Sequence, residues 1–148
     1  TLASLVERET PLDAERPLVA GVFTNRLVRN MPLECDPTVA YALALAGRST
    51  GPLDDADLHF KSPYNTYQVV GLPPGPISNP GEASLRAALD PPPTDYLYFV
   101  ANTQGGHFFS KTLAEHNRNV ARYRKLRAAQ ESAPAQNDHA AQTAPKPK

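Results

Sequence analysis

Leu2, Leu5, Val6 and Glu9 recur at i, i+3, i+4 and i+7, the spacing of one helical face, so residues 1–10 predict an amphipathic helix. Thr10 stands before Pro11, which disfavours helical backbone at Thr10 and ends the helix. A second helix begins with Pro17 at its first position and repeats Leu18, Val19, Val22, Phe23, Arg26 and Leu27 along one side until about Asn30. In a third, Asp36 caps the free amides, Pro37 presets the first turn, and the run Val39 to Ala46 closes at Gly47.

From Arg48 to Pro80 the periodicity disappears, and Gly, Pro, Asn, Ser and Tyr take over in "SPYNTYQVVGLPPGPISNPG". The stretch holds too much Tyr, Leu, Val and Ile for disorder and reads as an ordered loop, with a short extended piece near Tyr67 to Val70. Asn79 and Pro80 open a short helix, "GEASLRAAL", that Pro91, Pro92 and Pro93 must terminate. "DYLYFVAN" alternates and carries β-formers, and across "TQGG" it faces "HFFS" in a predicted hairpin. Thr112 and Glu115 have capping-box spacing and start a last helix, "TLAEHNRNVARYRKL". After Ala129 no large aliphatic or aromatic residue remains, so a single ordered domain over 1–129 and a disordered tail over 130–148 are expected. The fold class is α+β, mainly helical with a small hairpin.

At 148 residues the chain can build one domain with a real core. Fifteen Lys plus Arg balance fifteen Asp plus Glu, so no basic field draws it to nucleic acid or anionic lipid. One cysteine, Cys35, excludes an internal disulfide and a multi-cysteine zinc site. No window approaches the roughly 20 apolar residues of a membrane span, and no signal-peptide pattern opens the chain. The helical pattern is already running at Thr1, which suggests a fragment of a longer protein.

Within "SLVERET" the two glutamates face different ways. At about 100° per residue, Glu9 falls inside the apolar arc of Leu2, Leu5 and Val6, whereas Glu7 points to nearly the opposite side and reads as a solvated surface charge, with Arg8 beside it. Lost hydration and the negative end of the helix dipole both disfavour the ionised form of Glu9. A carboxyl kept protonated near neutral pH is what a general acid for acetal cleavage needs. The alternative is an ion pair of Glu9 with a core arginine, Arg26 or Arg86, that only fixes helix packing.

"LASLVERET", "ERPLVAGVFTNRL", "MPLECDPTVAY", "SPYNTYQVVGLPPGPISNPG", "TDYLYFVAN" and "GGHFFSKTLAEHN" occur in the order found in the MltG (YceG-like) endolytic lytic transglycosylases, and the resemblance covers about residues 1–123. It implies a lysozyme-like catalytic domain that acts on peptidoglycan glycan strands. It further implies a place at the bacterial inner membrane, the domain facing the periplasm behind a single N-terminal span that these residues do not include. Peptidoglycan synthases are candidate partners. The family's catalytic glutamate precedes Thr or Ser at the end of the first helix, which is Glu9 before Thr10 here. One carboxyl is then used twice. It protonates the oxygen between N-acetylmuramic acid and N-acetylglucosamine, then removes the proton of the muramoyl C6 hydroxyl as that oxygen closes a 1,6-anhydro ring. Neither metal nor cofactor is required.

"YNTY" offers Tyr64 and Tyr67 for stacking or hydroxyl bonding to sugar, and Asn65 and Thr66 for N-acetyl and hydroxyl groups, with a self-bonded structural turn as the alternative. Glu34 stands where the family usually has Gln, so it is a groove charge or a replacement for a hydrogen bond. Asp36 reads as the helix cap more than as a catalytic partner, with a carboxylate that orients a groove residue as the alternative. His107 and His116 are nine residues apart with no completing ligand, so they read as hydrogen-bonding residues and no metal is expected. Two other functions fit the same residues: a muramidase that admits water, and a silent glycan-binding or divisome scaffold module.

Overall fold

The computed structural model describes residues 1–48 and 51–132. Its element order is α1 (Leu2–Glu9), α2 (Arg16–Val28), α3 (Asp36–Leu45), α4 (Asp55–Leu58), α5 (Glu82–Leu89), β1 (Tyr98–Ala101), β2 (His107–Ser110) and α6 (Leu113–Ser132). The class is α+β and mainly helical, as the periodicity predicts. Helix α1 packs against α2, α3 and α5, α5 also meets α2, and α6 lies on the β1–β2 hairpin.

The core gathers Leu5 and Val6 of α1, Val19, Ala20 and Phe23 of α2, Leu33, Cys35, Ile77 and Ala87. Fully burying one such aliphatic side chain stabilises by about 1.5–3 kcal/mol, so the inward face of α1 fixes that helix firmly. The buried Ser4 adds a polar tie: its hydroxyl accepts the Ile77 amide at 3.0 Å and its carbonyl accepts the Ser78 hydroxyl at 3.1 Å. On α2, Asn25 donates to the Thr94 and Tyr96 carbonyls at 2.7 and 2.9 Å. Gly21 lets this segment approach, since a Cβ there would lie 2.6 Å from Thr94 Cγ2.

Tyr98, Phe99, Val100 and Ala101 pair antiparallel with Ser110, Phe109, Phe108 and His107. The Asn102 side chain accepts the Gln104 and Gly106 amides, and Gly105 supplies the left-handed residue of the turn at φ 84°. Thr112 and Glu115 form the expected reciprocal cap at the start of α6, the Glu115 amide donating to Thr112 Oγ1 at 3.2 Å.

Four expectations change. Cys35, in extended backbone, is the N-cap of α3, and Asp36 sits inside the first turn without capping it. The loop after α3 holds a one-turn helix, α4, closed by a reciprocal Asp54–Asp57 cap. The extended piece near Tyr67 to Val70 reduces to one bridge between Pro32 and Val70. Helix α6 runs through Arg124–Ala129 to Ser132, past the expected boundary at 129, and the rest of the expected tail, 133–148, lies outside the described residues.

Candidate active site

Glu9 is the last residue of α1. It is half-buried, and burial is the largest influence on its carboxyl, pushing its pKa up from 4.5 to about 7. The Cys35 thiol, hydrogen-bonded to it, opposes that rise, while the negative charge of Asp36 adds to it. The alternative of an arginine partner is removed by geometry: Arg26 bonds Glu34 at 2.9 Å and Arg86 bonds Glu82 at 2.7 Å. Among the described residues no cation forms an ion pair with Glu9.

Glu7 proves to be a structural anchor instead of a solvated charge. Its carboxylate takes the Arg16 guanidinium at 3.0 Å, the Ser84 hydroxyl at 2.7 Å and the Gly81 amide at 3.0 Å, tying α1 to α2 and to the start of α5. The Ser84 and Gly81 hydrogen bonds, with Arg16, hold its pKa below the usual value. Arg8 is exposed, as expected.

The segments Glu34–Asp36 and Tyr64–Tyr67 are riveted together by Thr66. Its hydroxyl accepts the Cys35 amide at 3.0 Å and lies 2.8 Å from the Thr38 hydroxyl, while its carbonyl accepts the Glu34 amide at 3.2 Å. Asn65, also fully buried, donates to the Leu58 and Phe60 carbonyls and accepts the Tyr67 amide. Both side chains therefore stand behind the site and build its wall, which is the self-bonded turn. They are not on the surface that a sugar would meet.

Tyr67 is presented by that turn. Its hydroxyl donates to Asp36 Oδ1 at 2.6 Å. Burial, then the bond and charge of Asp36, then Glu34 and Glu9 push its ionisation far above the usual tyrosine value, so it remains a neutral hydrogen-bonding group. Asp36 bonds the phenol directly, and Glu34 lines the same cavity as the Tyr67 ring. Glu34 is exposed, has φ 50°, and anchors Arg26. Left-handed backbone costs a non-glycine residue about 1–2 kcal/mol, offset here by the Arg26 pair and the Thr66 bond. A cavity of about 130 Å³ opens beside Glu34 and Tyr67, walled by Val22, Arg26, Leu33, Tyr98, Phe99 and His116. Tyr64 stands apart against Tyr41, ring centroids 5.0 Å apart, with its hydroxyl next to Gly75.

The structure thus brings Glu9, Glu34 and Tyr67 together, adds Asp36 and Cys35, and sets Asn65 and Thr66 behind them. Asp36 follows the alternative reading, a carboxylate that orients a groove residue, and its partner Tyr67 lies 31 residues away, where helix-start rules do not reach. His107 bonds Glu15 at 2.7 Å, and His116 stacks on Tyr98 at 5.2 Å between centroids. Among the described residues no cluster of three or more His, Cys, Asp or Glu side chains could hold a metal, and no helix is long and apolar enough to cross a membrane.

The sequence model of the YceG-like family matches residues 1–122. The chain belongs to the YceG-like family. Its relatives include proteins with the curated name endolytic murein transglycosylase. That of Bacillus subtilis (strain 168) is 50% identical over 123 residues, covering 83% of this chain and 33% of the relative. That of Streptococcus pneumoniae serotype 2 (strain D39 / NCTC 7466) is 40% identical over 126 residues, covering 83% of this chain and 23% of the relative. The crystal structure of a yceG-like protein from Listeria monocytogenes superposes with a TM-score of 0.73 at 51% identity, covering 80% of this chain and 38% of that one. The chain spans a quarter to a third of the length of these curated YceG-like relatives.

Proposed function

We propose that this chain is the catalytic part of an endolytic murein transglycosylase, cutting peptidoglycan strands internally by closing 1,6-anhydro ends. The observation that carries the reading is Glu9: a half-buried carboxyl without a cationic partner among the described residues, its pKa raised to about 7, near Asp36 and the neutral tyrosine that Asp36 holds. The names of the relatives support the same substrate. In the proposed reaction the Glu9 proton goes to the oxygen linking N-acetylmuramic acid to N-acetylglucosamine as the bond from that oxygen to the muramoyl C1 breaks. The ionised Glu9 then takes the proton of the C6 hydroxyl while its oxygen bonds to C1. Glu9 ends protonated, and no water is consumed. The nucleophile belongs to the substrate, so the enzyme's task is to orient the sugar and exclude water. In this reading Tyr67 and Glu34, half-buried and exposed beside the same cavity, meet sugar, while Tyr64 supports the loop by packing on Tyr41.

Placement at the extracytoplasmic face of the inner membrane, an N-terminal anchor and contact with peptidoglycan synthases belong to the same proposal and rest on the family resemblance. Mass spectrometry of products from isolated glycan strands tests the chemistry. Anhydromuramoyl ends from the wild type, with cleavage lost or reduced at least about 100-fold in Glu9→Gln, are expected. Products with only reducing muramic acid ends would replace transglycosylation by hydrolysis, and a Glu9→Gln chain as active as wild type would remove Glu9 from the chemistry. Because the acid form is required first, cleavage should decline as pH rises through about 7.

A further inference from the structure

The carboxyl of Glu9 is aimed by whatever holds the chain just after it, and the helix itself holds that point weakly. The Thr10 amide reaches the Val6 carbonyl only at 3.5 Å, and Thr10 is extended at φ −140°, ψ 133°. Its side chain is fastened instead. Thr10 Oγ1 accepts the Leu12 amide at 3.1 Å and donates to Glu15 Oε2 at 3.2 Å, in a position only 1% exposed.

Glu15 is the N-cap residue of α2, yet its side chain makes no cap bond to that helix. It turns to the hairpin. Oε1 accepts the His107 amide at 2.8 Å and Oε2 lies 2.7 Å from His107 Nδ1. A carboxylate held below its usual pKa can only accept, which assigns the proton to Nδ1. The His107 ring is set edge-on to Phe99, centroids 5.2 Å apart, so it cannot swing away without disturbing the hairpin's aromatic packing. A Cβ at Gly106 would collide with Glu15 Oε1, so a side chain there would displace the carboxylate. The first residue of β2 therefore grips, through one carboxylate, the residue that follows the catalytic acid. Among the described residues neither Glu15 nor His107 bonds Glu9 itself, so the coupling runs through Thr10.

We propose that Glu15 and His107 are positioning residues, a clamp from the hairpin onto Thr10 that holds the Glu9 carboxyl at the bearing needed to protonate the glycosidic oxygen. This rests on the reading of Glu9 as the acid. Misplacement of a reacting group by about 1 Å costs on the order of 100-fold, so loosening the clamp should show in the chemical step.

The test is steady-state strand cleavage by the 148-residue chain, well below each variant's Tm, alongside a carboxyl NMR titration of Glu9. Glu15→Gln and Thr10→Val should lower kcat about 10- to 100-fold with KM within about 2-fold and the Glu9 midpoint unmoved. Thr10→Ser keeps the hydroxyl and His107→Asn keeps a donor at the δ position, so both should recover most of kcat, whereas His107→Ala should not. Thr10→Val removes a single hydroxyl and guards against a variant that fails to fold. If Glu9→Gln is inactive while Glu15→Gln and Thr10→Val retain wild-type kcat, the clamp is overturned and the acid stands. A loss that appears only as raised KM, or that Thr10→Ser does not rescue, also overturns it. If Glu9→Gln is itself fully active, the reading of Glu9 fails first and this inference falls with it.

Discussion

Glu7 and Glu9 stand two positions apart and end in opposite electrostatic states. Helical phase alone separates them, because it turns Glu9 toward the apolar arc and Glu7 away. What phase does not carry is the partner on the far side: Arg16 and Ser84, brought by α2 and α5, cover Glu7 and make its charge useful. Among the described residues no cation pairs with Glu9, and the Cys35 thiol offsets only part of its burial. That has a consequence for stability. The folded pKa, about 7, lies above the ordinary 4.5, so the folded chain binds this proton more tightly than the unfolded one. The penalty of an ionised Glu9 is therefore absent below about 4.5, grows with pH, and is complete above about 7. Thermal melts of Glu9→Gln should show a gain of ~1–3 kcal/mol over wild type at about pH 8 and none at about pH 4. Equal stability of the two proteins at both pH values would mean that the carboxyl is not desolvated.

At the scale of elements, periodicity located α1 and α2, capping, proline and glycine signals located α3 and α5, and alternation located the hairpin. The misses have physical causes. Helix α4 is a single polar turn around "DADL", with no apolar repeat to reveal it, although its Asp-x-x-Asp cap is visible in the sequence. The cap of α3 went to Cys35 because Asp36 serves Tyr67 from inside the first turn. Helix α6 outruns its hydrophobic pattern because Ala, Arg, Gln and Leu have high intrinsic helix propensity even where nothing packs on them. The junction of α1 with α5 depends on Glu7, whose carboxylate accepts from Arg16, Ser84 and Gly81. Glu7→Ala removes these bonds and leaves the Arg16 guanidinium, its side chain only 11% exposed, with the exposed Asp13 at 3.3 Å and the Ser84 hydroxyl as its remaining partners, so denaturant unfolding should show a loss of about 1–3 kcal/mol. An unchanged unfolding midpoint would show that the tie contributes nothing.

For the whole molecule, the site is a meeting of distant segments: the end of α1, the turn into α3, the "YNTY" loop and, through Glu15, the hairpin. The sequence made Glu9 legible because a single helix determines which way it faces. The wall formed by Thr66, Thr38 and Asn65 was not legible, because its bonds join positions 28 or more residues apart or reach backbone carbonyls that no side-chain pattern marks. Everything proposed for the chemistry depends on one carboxyl being protonated when a strand arrives. The direct measurement is a titration of the Glu9 side-chain carboxyl by carbon-detected NMR, assigned by its absence in Glu9→Gln. A midpoint near 7 is the expected result. A midpoint near the ordinary glutamate value of about 4.3 would contradict the account.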